Sequence, residues 1–289
     1  MDDVKCDAVD AFVAAIEARA ELRRTPSGAG EMVWRIWGEG PPVVLFHGGH
    51  GSWTHWIRTI PELSKRYRLY VADLPGYGDS ALAPEPQTAE SIAAVVSRGL
   101  DIVLPPPARY ALVGFSFGGI IGGATSVLQD ERVHTFVSIG SSALGLPPIG
   151  IKGLRKWTHD MPEEELRSIN RHNLSIIMIS DPARIDELAL RLQMANTMKA
   201  RITGGAIPRG DGFLRALPGI KARMVCLAGS EDVYVKSSLA ERKRIFRAVQ
   251  PDTPFYTIDG AGHWVMYEAP DAFNAAISKI VDSRGTKGP

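Results

Sequence analysis

Gly114-Phe115-Ser116-Phe117-Gly118 sets one hydroxyl between two glycines, where the apolar run Tyr110 to Ser116 meets the small-residue run Gly118 to Leu128. A serine on so sharp a strand-to-helix turn has a strained backbone and an exposed Oγ, and its neighbours two away on each side must lack side chains. The pattern is that of a nucleophile; the alternative is that the glycines only pack a helix against a strand. A serine hydroxyl attacks nothing until a base takes its proton. Of seven histidines, His263 follows the run "PFYTIDGAG" in a loop of small residues and precedes the last helical pattern. His134 opens an apolar run and reads as structural, while His159 and His172 lie in a long helical stretch.

The acid that orients such a base falls between serine and histidine in chain order. The run "ARMVCLAGS", Ala222 to Ser230, ends at Glu231 and Asp232, whereas the preceding run ends in "GSSALG" with no carboxylate. Asp232 is preferred because a shorter side chain in a tight turn suits an imidazole, leaving Glu231 solvated. An oxyanion needs backbone N–H groups aimed into a dry site. Phe117, first in its helix, supplies one at the positive helix end. Gly49, in the loop "FHGGHGS" after the run Pro42 to Phe46, supplies the other. Glycine-rich loops also cradle phosphates, but neither G-x-x-x-x-G-K nor a helix-opening G-x-G-x-x-G occurs, so no nucleotide cofactor is expected. His47 reads as shaping that loop, Gly48 as lying beside the substrate, and His50 as either lining the pocket or merely exposed.

These residues need a scaffold that brings distant loops together. Six apolar runs rich in Val, Ile and Leu begin at Pro42, Arg68, Tyr110, Val133, Ala222 and Pro254, and they alternate with amphipathic stretches. That is the pattern of a parallel α/β sheet. "EMVWRIWGEG" alternates apolar with polar residues and predicts an antiparallel edge strand. Helices are predicted over 88–103, 117–128, 236–248 and 270–281, and over the first twenty residues, where Val9, Phe12, Val13, Ile16 and Ala20 share a face. The alternation breaks once, over 146–217, and the sheet pattern then resumes. Such a helical insertion reads as a lid over the carboxyl ends of the strands, the core being 1–145 with 218–289. Within it Asp181 predicts a helix cap, with Pro182 in the first turn. Met178, Met194 and Met198 suit either an adaptable apolar roof or ordinary packing.

With 33 basic and 32 acidic residues the chain has a net charge of +1, which gives no field for nucleic acid or anionic lipid. A small-molecule partner is expected, with a homodimer the one assembly left open. Two cysteines exclude a disulfide scaffold, and Cys226 reads as a core thiol. The N-terminus shows no secretory pattern and no run is long and apolar enough for a membrane span, so a cytoplasmic protein is expected.

"FHGGHGSWTHW", "DLPGYGDS", "GFSFGG", "GSEDVYV" and "GAGHWVMYEAPDAF" occur in this order across Val33 to Val281, and together they resemble the α/β-hydrolase superfamily. The resemblance implies a mostly parallel eight-stranded sheet, a lid inserted after the sixth strand, and the triad Ser116, Asp232 and His263. It implies a structural turn at Asp73 and Gly76. Serine rather than aspartate at residue 116 argues against the haloalkane dehalogenase and epoxide hydrolase branches. "GHWVMYEAPDAFN" is similar to the meta-cleavage product hydrolases, which split carbon–carbon bonds. There Arg191 would bind the substrate carboxylate; otherwise it snorkels at the edge of the apolar stripe Leu188, Leu192 and Ala195. Phe115 departs from that branch, where a polar asparagine precedes the nucleophile. Phe115, Phe117 and Trp264 suggest an apolar or aromatic pocket next to the nucleophile, or are simply core. The expected activity is therefore carboxylic ester hydrolysis without a cofactor, ahead of diketone cleavage and of a ligand-binding receptor on the same fold.

Overall fold

The computed structural model describes residues 2–158, 160–202 and 206–283. Eight strands form one sheet among them: β1 (Glu21–Ser27), β2 (Gly30–Trp37), β3 (Pro42–Phe46), β4 (Arg68–Ala72), β5 (Tyr110–Phe115), β6 (Val133–Ile139), β7 (Arg223–Gly229) and β8 (Phe255–Ile258). Their spatial order is β1-β2-β4-β3-β5-β6-β7-β8. β1 and β2 run antiparallel, and every pairing from β4 to β8 is parallel.

Alternate side chains of each strand face opposite layers. Val43, Leu45, Val113 and Phe115 enter one core cluster, and Val44, Phe46, Tyr110 and Leu112 enter the other. Both faces are covered, which is why the central strands read as unbroken apolar runs. Helices α2 (Ala89–Val103) and α3 (Phe117–Gln129) bury Ile92, Val96, Ile120 and Ile121 in the second cluster. The first cluster takes Leu174 of α4 (Glu163–Ile177), Leu190 of α5 (Glu187–Lys199) and Phe273 and Ile277 of α7 (Pro270–Asp282). α6 (Leu239–Val249) adds Phe246 to the second. Thr88 caps α2 in a capping box with Ser91, which fixes where that helix begins. Cys226 is buried, and burial pushes its thiol pKa up.

The predicted strand over "EMVWRIWGEG" exists as β2, but it is not the edge. β1 lies outside it, and the N-terminal α1 (Asp2–Glu17) puts Ile16 into the first cluster. The helix predicted at Asp181 also begins later. Asp181 caps only the short turn Pro182–Arg184, and α5 starts at Glu187 with the Asp186 side chain accepting from the Ala189 N–H at 2.9 Å. The chain leaves the sheet after β6 and returns at β7, and α4 and α5 lie in between. α4 and α5 pack on each other, and α1 packs on α5. No helix among the described residues is long and apolar enough to cross a membrane.

Candidate active site

β5 ends at Phe115 and α3 begins at Phe117, so Ser116 alone makes the turn, at φ 51 and ψ −113. A positive φ on a residue with a Cβ costs about 1–3 kcal/mol and persists only where its surroundings enforce it. The Ser116 N–H donates to Ile139 O at 2.7 Å, and the Gly119 N–H donates to Ser116 O at 3.0 Å. A Cβ on Gly114 would stand 2.5 Å from Gly118 O, and one on Gly118 would press on Phe46 O. Both glycines of the motif are thus required by close approach, as the spacing predicts. Ser116 is half-buried between neighbours that are fully buried.

His263 follows β8 and Asp232 follows β7, 31 residues earlier in the chain. The His263 Nδ1–H donates to Asp232 Oδ2 at 2.8 Å, and Asp232 Oδ1 accepts from the Tyr234 N–H at 2.8 Å. With the proton held on Nδ1, the lone pair is left on Nε2. Gly140, at φ 58, makes room for the pair, since a Cβ there would stand 2.7 Å from Asp232 Oδ2 and 2.9 Å from the His263 ring. The buried Arg242 braces the turn by donating to Tyr234 O at 2.7 Å, to Ser238 Oγ at 2.9 Å, and to Ser141 O.

The loop after β3 supplies the third part. The His47 Nε2 accepts from the Leu74 N–H at 2.9 Å, so its Nδ1–H donates to Gly48 O at 2.7 Å. Asp73 supports the loop from below: it accepts from the Trp53 N–H at 2.7 Å and from Arg35 Nη1 at 2.9 Å. Gly49 lies beside the Phe117 Cβ. A cavity of about 580 Å³ is bordered by Ser116, His263, Gly49, Phe117 and His50, and its far wall includes Ile177, Met178, Gln193 and Thr197 from the chain between β6 and β7. Arg155 and Lys156 border it as well.

Four residues expected to contact substrate do not border this cavity. Arg191 does not border this cavity; its guanidinium pairs with Asp10 of α1 at 2.9 Å, in a separate cleft lined by Val13, Arg35 and Asp79. Of the stripe that would have aimed it inward, Leu192 and Ala195 line that same cleft with Val13 and Ala14 of the N-terminal helix, and Leu188 packs on the first core cluster. Phe115 is 1% exposed and lies against the His263 ring, its centroid 4.8 Å from that of His263. Trp264 is fully buried; its Nε1–H donates to His55 O at 3.0 Å and its ring stacks on Tyr267. Gly48 is buried within the loop, where a Cβ would meet the Phe115 ring at 2.9 Å and the Ser116 Cβ at 3.3 Å. Of the three methionines, Met178 alone borders the cavity, while Met194 and Met198 line the Arg191 cleft. The His172 Nε2–H donates to Gly153 O at 2.8 Å, and His159 lies outside the described residues.

Other residues in the machinery carried no local signal in the sequence. Tyr234 borders the cavity with its ring centroid 4.6 Å from that of His263. Asn196 of α5 accepts from Ser52 Oγ at 2.7 Å, tying the insertion to the glycine loop. The buried Glu268 carboxylate accepts from the N–H groups of Gly262 at 2.7 Å, Ser180 at 3.0 Å and Asp181 at 2.9 Å, which fastens the histidine loop to the α4–α5 connection. These links join residues 6 to 144 positions apart in the chain.

Residues 43–276 match the model of the family described as "Alpha/beta hydrolase family". A pimeloyl-(acyl-carrier protein) methyl ester esterase of Aeromonas hydrophila is 30% identical over 187 residues, 61% of this chain and 69% of that protein. The protein of the same name from Vibrio atlanticus is 27% identical over 262 residues, 84% of this chain and 95% of its own. Among solved structures, a meta-cleavage product hydrolase from Pseudomonas fluorescens superposes with a TM-score of 0.70 at 23% identity, covering 90% of this chain and 97% of that one.

Proposed function

The chain belongs to the alpha/beta hydrolase family and is an enzyme, and on that premise we propose that it hydrolyses carboxylic esters through a Ser116, His263 and Asp232 triad. The observation that carries the reading is the meeting, at one cavity, of a serine held at positive φ and a histidine whose Nδ1–H is bonded to a buried aspartate. Ser116 Oγ attacks the ester carbonyl while His263 Nε2 takes the hydroxyl proton. Asp232 keeps the tautomer and steadies the imidazolium. The negative charge on the former carbonyl oxygen meets the N–H groups of Phe117 and Gly49. The C–O bond then breaks, and His263 returns its proton to the departing alcohol. Water, deprotonated by the same nitrogen, attacks the acyl carbon; the bond to Ser116 Oγ breaks, His263 passes the proton to Oγ, and the acid leaves. No step in this sequence calls for a cofactor.

Residues 146–217 act as the lid, and Ile177 and Met178 present an apolar wall to a small apolar or aromatic acyl group. The names of the two relatives support an ester bond as the target. They also point to an acyl chain carried on a larger partner, for which the cations Arg155 and Lys156 at the cavity wall are suited. Carbon–carbon cleavage is not favoured, because the arginine it would use for a carboxylate is engaged with Asp10.

Kinetics on aryl esters from acetyl to dodecanoyl, beside a carboxylate-bearing vinylogous diketone, test this. The esters should turn over and the diketone should not. Arg191→Ala should leave kcat/KM on the esters within about two-fold, as expected for a surface pair outside the cavity. Diketone turnover that exceeds ester turnover and collapses in Arg191→Ala would overturn the ester reading.

A further inference from the structure

His55 is buried to 1% exposure in the turn Trp53–Trp56, between Phe115 and Trp264, at centroid distances of 5.5 and 5.0 Å. Its Nδ1 accepts from the Gly48 N–H at 3.2 Å, so the ring proton sits on Nε2, which is buried with no hydrogen-bond partner. An unpartnered buried N–H is unfavourable, and its retention calls for an explanation. Burial, with His47, His263 and His50 nearby, holds the pKa of His55 well below the usual histidine value, and the neutral ring keeps its acceptor.

The explanation lies in the two glycines. Gly48 cannot carry a side chain against the Phe115 ring, yet two successive glycines leave the backbone free to rotate. We propose that His55 is a positioning residue for the oxyanion site: by accepting the Gly48 N–H it fixes one peptide plane of the loop while His47 fixes the next. In a trans peptide the C=O and the following N–H point in opposite directions. With Gly48 O held by His47, the Gly49 N–H is turned away from His47, and with the Gly48 N–H held by His55, the preceding plane is fixed, so that both planes flanking Gly48 are held and the orientation is kept. His55 also receives the Trp264 Nε1–H on its carbonyl oxygen, so one residue joins the glycine loop to the segment carrying His263. This inference rests on the reading of Gly49 as an oxyanion donor.

Steady-state kinetics on an aryl ester, with wild type, His55→Phe and His55→Asn, test it. Phenylalanine keeps an aromatic ring in the slot but accepts no hydrogen bond, whereas the asparagine Oδ1 can replace Nδ1. His55→Phe should lose about 30-fold or more in kcat, part of the about 10²–10³-fold cost of removing a donor outright, with KM changed by less than about three-fold. His55→Asn should recover at least about ten-fold of that loss. If His55→Phe fails to fold, Gly51→Ala decides, because its Cβ would press on the His55 ring and stand 2.8 Å from Gly48 O. It should show the same kcat-selective loss. Wild-type kcat in His55→Phe, or in Gly51→Ala where that variant decides, overturns the proposal; so does equal loss in the Phe and Asn variants, or a change in KM alone. A wild-type enzyme inert towards both esters and fluorophosphonates would instead overturn the hydrolase reading beneath it.

Discussion

Asp232→Asn should lower kcat for ester hydrolysis by about 10⁴-fold with the protein still folded, the size of effect known when a triad aspartate becomes an amide. Asp232 has two engaged oxygens, one accepting from the His263 Nδ1–H and the other from the Tyr234 N–H. An amide can accept at only one of them. If its NH₂ faces Tyr234, two donors meet and the turn shifts. If it faces His263, the imidazole must take the other tautomer, with Nε2 protonated and unable to accept the serine proton. Stopped assays over a long incubation, with circular dichroism as the control for folding, measure this. A loss below about ten-fold would mean that Asp232 does not orient the base.

Ser116→Gly should abolish turnover and yet raise stability. Ser116 is held at φ 51, a region open to glycine and costly for residues with a Cβ. Relief of about 1 kcal/mol, at the lower end of such strain, is expected. In a chain of this size that corresponds to a rise of about 1.5–2 °C in Tm. kcat should fall by about 10⁵-fold or more, because no nucleophile remains for His263 to activate. Ser116→Ala removes the same hydroxyl but keeps the Cβ, so it should lose activity without the gain in Tm. If the glycine variant were less stable than the alanine variant, the elbow would not be storing strain.

What could be read from the chain follows from how local each signal is. The elbow glycines and the apolar runs of the parallel strands depend on neighbours a few residues away, and they were legible. β1 was not. "ELRRTPS" has no apolar alternation because, as an edge strand, it is held by its backbone ladder with β2 and buries only Thr25 and Ser27. Arg191 was misplaced because an apolar helix stripe says that something covers it, not what. Here the cover is the N-terminal helix, whose purpose its own sequence did not disclose. Trp264 was drawn towards the pocket by its position next to His263, but consecutive side chains turn to different sides, and the indole enters the core. His55, Asn196 and Glu268 were invisible for a third reason: each acts on a loop remote in the chain or through a backbone group, and neither leaves a pattern of residue types.

The central claim is that Ser116 is the nucleophile, and covalent labelling addresses it most directly. Wild-type protein treated with a fluorophosphonate, digested and analysed by mass spectrometry should carry one phosphonyl group on the peptide containing Ser116. Ser116→Ala should remain unlabelled under the same conditions. Folded wild-type protein that takes up no label, or label on another residue that persists in Ser116→Ala, would contradict the account.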